Sequence, residues 1–191
     1  MAQTAQSTLT GTWDLDPVHT RLGFAARHAM VATVHGHFAV FSGELRLDEA
    51  DPVKSSAEVR VDAASIFTGT EQRDDHLRSA DFLDAAKYPE LVFRSTRAEA
   101  GDDEHEYRLI GELTIRGQTH PVVFDLEFQG SSVDPYGNVR AGFEGKATIN
   151  RKDWGLTWNV ALEAGGIMVG DKVKLELDVS AVKRPEAAPS E

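Results

Sequence analysis

The chain contains no cysteine among its 191 residues. That absence excludes disulfide frameworks, thiolate zinc sites and thiol nucleophiles, and leaves the redox compartment open. No apolar run is long enough to span a bilayer as a helix, so an integral membrane protein is not expected. Cations are in short supply: 20 Lys and Arg stand against 31 Asp and Glu, a net charge of −11 with a pI near 5.1. Such a field repels nucleic acid and acidic membranes, and no nucleic-acid partner is expected. No glycine-flanked serine elbow occurs, and "GGIMVGD" has no lysine-serine pair after its glycines, so it is not a phosphate loop. The opening "MAQTAQSTLTGTW" lacks a basic start followed by an apolar core and is not a secretory signal. The expectation is a cytoplasmic protein, or a periplasmic or secreted one if a leader has been removed.

What is present is alternation. "GELRLD", "AEVRVD", "YRLIGELTI", "VVFDLEF", "AGFEGKATI" and "KVKLELDVSAV" each place apolar residues at every second position. Successive side chains of a strand point to opposite faces, so each segment has one dry and one wet face, as antiparallel strands require. Gly117-Gln118 reads as a short hairpin link and "SSVDPYGN" as a longer turn, while the acidic "EAGDDEHE" reads as a solvated loop without calcium-ligand spacing. About eight such strands can roll into a closed barrel able to hold one small ligand. Large inward residues alternate with small ones such as Ala57, Gly111, Ala141, Gly145 and Ala147. That mixture either leaves room for a ligand or tapers a filled core.

Two stretches interrupt the pattern. "RHAMVATVHGHF" reads as a strand end followed by an irregular or helical turn, with Gly36 breaking the alternation. "TEQRDDHLRSADFLDAAKYPELVF" reads as two short helices, capped by Thr70 and by Ser79 or Asp81, before Pro89 returns the chain to the sheet. Its Arg73, Asp74, Asp75, His76 and Arg78 are either an acid–base cluster or a salt-bridged helix face. His28, His35 and His37 are either a metal site or exposed histidines. The enzyme reading rests on His28, Asp75 and His76, with or without a metal. Neither a metal nor a cofactor is expected on the favoured, non-enzymatic reading.

Taken in order, these stretches resemble the YceI-like family of lipocalin-like, polyisoprenoid-binding proteins. The resemblance runs from Trp13 to about Val182. It rests on "WDLDPVHTRLGF", with Thr20 where Ser is usual, then "RHAMVATVHGHF", "SIFTGTEQRDDHLRSADFLDAAKYPELVF", "GELTIRGQT" and "INRKDWGLTW", with Trp154 where Phe is commoner. It implies an all-β, antiparallel barrel of about eight strands with a short helical cap and an apolar tunnel for a long-chain isoprenoid lipid, in a protein that pairs as a homodimer. The domain is expected over 11–183, between a flexible 1–10 and a disordered 184–191. The function implied is non-enzymatic binding, storage or transport of a polyisoprenoid or an isoprenoid quinone; the alternatives are an enzyme or a ligand-free interaction module. Tunnel residues are expected at Phe24, Phe41, Leu77, Phe82, Phe93, Leu113, Phe124 and Phe143. Arg27, Arg73 and His76 are expected as polar groups at a mouth beneath the helical cap.

Overall fold

Each alternating segment folds as a strand, and their edges join into one closed ring. The computed structural model describes residues 9–185. The strands are β1 (Gly11–Leu15), β2 (Arg21–His28), β3 (Ala32–Phe38), β4 (Phe41–Leu47), β5 (Ser56–Asp62), β6 (Ile66–Phe67), β7 (Glu90–Ala100), β8 (Glu106–Ile115), β9 (Gln118–Val133), β10 (Val139–Asn150) and β11 (Val169–Lys183), with one α-helix, α1 (Glu71–Arg78). The antiparallel order is β1-β4-β5-β7-β8-β9-β10-β11, and β11 returns to β1 through Leu15↔Ala181 and Trp13↔Lys183. Closure leaves those eight strands without a free edge.

Three of the eight staves are bent strands. β1 and β2 run consecutively along β11, interrupted at 16–20, where the Thr20 hydroxyl donates to Ser180 O at 3.0 Å and accepts from Ser180 N at 3.0 Å. A side chain thus carries the ladder across the bend. β3 and β4 form the second bent stave, and β5 and β6 the third, with β6 pairing to β3 through Phe38↔Ile66. The β8–β9 turn is Arg116-Gly117, one residue earlier than expected, with both residues at positive φ (51° and 70°) as a two-residue hairpin turn needs.

"ATVHGHF" is a regular strand, not an irregular turn. Gly36 faces inward, where a Cβ would stand 2.3 Å from Phe24 Cζ, so the glycine makes space for the ring. The cap differs too: α1 is followed by turns, not by a second helix. Phe82 N and Asp84 N both donate to Ser79 O, and Asp84 takes φ 49°. Thr70 precedes the helix without capping it; its hydroxyl instead accepts from Arg73 Nη2 at 3.3 Å.

The barrel has two unlike ends. One carries α1 with 79–89, the β2–β3 turn, and the β10–β11 connection (151–168). There Ala63, Ile66, Leu83, Leu91, Ile115 and Trp154 are buried together. At the other, Trp13 is fully buried beside Ala141 and Ala181, with its indole N–H on Leu9 O at 2.9 Å. Leu9 and Thr10, expected in a flexible end, are pinned: Leu9 N donates to Glu49 Oε2 at 2.9 Å and Thr10 Oγ1 accepts from Glu49 N at 3.0 Å. Arg184, expected in a disordered tail, pairs with Asp14 at 2.5 Å and Glu44 at 2.8 Å. The remainder of both expected flexible ends, residues 1–8 and 186–191, lies outside the described residues.

Candidate functional site: an apolar cavity open at one end

Between these two buried clusters the barrel is hollow, with a cavity of about 270 Å³. All eight staves supply inward apolar side chains to its wall, among them Leu22, Leu45, Val59, Leu109, Leu126 and Leu177. Phe93 and Phe124 meet edge to face inside it, with ring centroids 5.2 Å apart at 89°. Inward glycines make room for large neighbours: a Cβ on Gly111 would stand 2.5 Å from Phe93 Cζ, and one on Gly145 2.7 Å from Leu126 Cδ2. An apolar void of this kind gains nothing from water, which would find no hydrogen-bond partners in it.

Of the eight residues expected to line a tunnel, Phe24, Phe93, Leu113, Phe124 and Phe143 stand in the cavity wall. Phe41, Leu77 and Phe82 are not in the wall. Phe41 is half-buried opposite Val61 at the start of β4, and Leu77 is half-buried against the core beneath the cap. Phe82 is buried and packs on His76 and Trp158, with centroids 5.1 and 5.4 Å away. The wall also contains apolar residues outside the expected tunnel set, chiefly Phe38, Leu175 and Phe128. Their strand parity was readable; which strands curve round the void was not.

The polar groups expected at the mouth stand elsewhere, because the cap covers the closed end. Arg27 donates to Met30 O at 2.8 Å and Thr33 Oγ1 at 3.2 Å, at the β2–β3 turn. Arg73 donates through Nε to Thr68 Oγ1 at 2.6 Å and through Nη2 to Thr68 O at 2.9 Å. Buried Asp74 receives Thr68 N at 2.9 Å and Thr68 Oγ1 at 2.5 Å. His76 Nε2 meets Asp81 Oδ2 at 2.8 Å, whereas Asp75 pairs with Arg78 at 2.9 Å. Arg78 also reaches Ala64 O at 2.7 Å and Ile66 O at 3.1 Å. The charged island is a brace tying α1 to β6 and its approach.

A second brace was missed altogether. Arg151 is 4% exposed and donates to four carbonyls, those of Leu156, Gly170, Trp158 and Val169, at 2.5 to 3.2 Å. Burial lowers its pKa, opposed by Asp171 at 3.7 Å. The indole of Trp154 donates to Leu113 O at 2.9 Å and helps seal the closed end. His35 and His37 share the outer face of β3, where His37 lies on Phe67 at 5.4 Å. Among the described residues no group of three or more His, Asp or Glu side chains is placed to hold a metal ion.

The polar residues in the cavity wall all gather at the opposite, open end: Asp48, Glu49, Ser55, Ser56, Tyr107 and Arg108. They come from the β4–β5 connection, which contains a turn of 3-10 helix at Pro52–Lys54, and from the start of β8. β5 pairs with β7 only from Glu58↔Arg94 to Asp62↔Glu90, and the Ser95 hydroxyl receives Ala57 N at 2.8 Å where that ladder ends. Beyond it β5 gives way to the β4–β5 connection, whose 3-10 turn lies against β7, and the polar groups of the mouth gather there.

The geometry agrees with known proteins. A UPF0312 protein of Staphylococcus epidermidis is 38% identical over 165 residues, covering 86% of this chain and 93% of that one. The crystal structure of the Campylobacter jejuni YceI protein matches with a TM-score of 0.71 and 27% identity, over 83% of this chain and 90% of that one. A polyisoprenoid-binding domain from Saccharophagus degradans shares the fold, with a TM-score of 0.68 and 17% identity, over 90% of this chain and 98% of that one. The model of the YceI-like domain matches residues 13–181, and the chain therefore belongs to the YceI-like family.

Proposed function

We propose that this protein is a non-enzymatic carrier or store for a long-chain apolar lipid, a polyisoprenoid or an isoprenoid quinone, held in the barrel cavity. The observation that carries the reading is the enclosed apolar void with polar groups at one end only. The similarity to a domain described as polyisoprenoid-binding supports it. No catalytic constellation is needed for such a task. Each methylene withdrawn from water contributes about 0.8 kcal/mol, so a hydrocarbon tail is held by burial alone. Ordering costs keep the net affinity far below that sum. The cavity of about 270 Å³ lies just below the roughly 300–1,000 Å³ typical of ligand pockets. A long tail fills it and leaves the head group at the mouth.

Organic extraction of purified protein followed by mass spectrometry tests the reading. A co-extracted isoprenoid lipid, or saturable uptake of one offered to the extracted protein, is the expected result. Protein that yields no lipid and takes up none overturns it.

A further inference from the structure

The mouth is built from carboxylates. Asp48 and Glu49 line the cavity's open end, Asp51 follows in the same loop, and the β7–β8 turn adds exposed Asp102, Asp103 and Glu104 at the same end of the barrel. The cations nearby are already matched. Lys54 lies 3.3 Å from Asp51, and Arg108, the one cation in the wall, lies 3.8 Å from both Glu99 and Asp125. Several of the loop's backbone donors are occupied as well. Asp48 N donates to Ser55 Oγ at 3.0 Å, Glu49 N to Thr10 Oγ1 at 3.0 Å and Asp51 N to Asp48 Oδ1 at 2.9 Å.

A phosphate or carboxylate head group needs either free N–H groups or unpaired guanidinium and ammonium groups. Here it would meet a surplus of negative charge on a chain whose net charge is already −11. A neutral head finds hydroxyls instead: Ser55 accepts from Asp48 N and keeps its own proton to donate, Ser56 stands in the same wall, and the Tyr107 hydroxyl, which donates to Glu104 O at 3.5 Å, can still accept. We infer that the mouth selects by head-group charge: the cavity takes a lipid whose head is uncharged or cationic and rejects the same tail carrying phosphate, diphosphate or carboxylate. The inference rests on the carrier reading and narrows its ligand class.

Three probes with one tail test it on the full chain: geranylgeraniol, geranylgeranylamine and geranylgeranyl diphosphate, each displacing a neutral naphthylamine fluorophore from the cavity. At low ionic strength the alcohol and the amine are expected to bind at least about tenfold more tightly than the diphosphate. Raising salt from about 0.02 M to about 0.5 M should shrink that ratio by screening. The double variant Asp48→Asn/Glu49→Gln removes two charges while keeping the oxygens that accept from Asp51 N and Leu9 N. It should shrink the ratio at low salt without weakening the alcohol. Equal binding of all three probes, or tighter diphosphate binding, overturns the selectivity and leaves the carrier reading standing. Binding of none overturns both.

Discussion

Arg140 and Asp16 are separated by 124 residues, yet the Arg140 Nη1 donates to Asp16 Oδ2 at 2.5 Å while its Nε donates to Asp134 Oδ2 at 2.8 Å. The pair locks the β1–β2 bend to the turn between β9 and β10. Burial acts to raise the Asp16 carboxyl, but hydrogen bonds from Arg140, His19 and Val18 N–H outweigh it and bring the pKa to about 2. Asp134 is held well below the usual carboxylate range, first by Asn138 and then by Arg140 against the opposing effect of burial.

A carboxyl depressed on folding contributes stability that is complete above its unfolded pKa and vanishes as pH falls through the folded one. The contribution of Asp16 should therefore be intact above the ordinary value of 3.8 and disappear toward about 2. Melting temperature against pH checks this, read as the difference between parent and Asp16→Asn so that other carboxylates cancel. The variant should melt lower at pH 7 and converge on the parent near pH 2. Parallel curves would show that the pair carries no linkage.

How much of this was legible beforehand depends on the element. Strand parity exposed Leu113, Phe124 and Phe143 as inward residues, because each stands in a segment that alternates apolar with mostly polar or small positions. β3 was misread because its inward position is Gly36, so the strand presents two histidines and no apolar side chain at the centre of "HGH". Which end is open was not legible at all. That depends on α1 covering one rim and on Glu49 holding the Leu9–Thr10 segment at the other, contacts between residues about 40 positions apart. The density of charge around Arg73 and His76 drew attention to the cap, where those groups serve hydrogen bonds within the fold.

If the cavity is where lipid resides, filling it must abolish uptake. Leu109 lies in the wall, beside Phe124 in the register of β8 and β9. Leu109→Trp is expected to lower affinity for geranylgeraniol at least about tenfold. Overpacking costs roughly 1–3 kcal/mol, which denaturant unfolding measures separately. A folded Leu109→Trp protein with unaltered uptake would place the lipid elsewhere.

The cap should prove a structural brace. Asp74→Ala strands the Thr68 amide and hydroxyl, which both donate to Asp74. Thr68 is half-buried, so each orphaned donor should cost toward the lower end of the roughly 1–3 kcal/mol of a buried one. Faster hydrogen exchange across residues 66–80 is the expected signature, with geranylgeraniol affinity unchanged because the mouth is at the other end. Arg73→Ala should behave alike. Loss of affinity in either variant at full folded population would return these groups to the binding site.

Gly36 and Gly111 give the finest test of how the void is maintained, since each backs an aromatic ring that lines the cavity, Phe24 and Phe93. A methyl at Gly36 meets Phe24 Cζ at 2.3 Å, the far end of a ring that can turn aside, and Thr68 Cγ2 at 2.9 Å, on a side chain held by Asp74 and Arg73. Gly36→Ala should therefore fold, with the roughly 0.5–1 kcal/mol that alanine recovers over glycine in a strand offset by the Thr68 contact, and push the Phe24 ring into the lipid's space. Affinity falls while stability changes little. A methyl at Gly111 stands 2.4 Å from Arg94 O as well as 2.5 Å from Phe93 Cζ. The carbonyl belongs to the β7–β8 ladder and cannot swing aside, so Gly111→Ala should lower the unfolding free energy by about 1–3 kcal/mol, the range of overpacked cores. Paired unfolding and binding curves for the two variants separate a ring displaced from a ladder broken; identical stability losses would mean that Phe24 is as immobile as backbone.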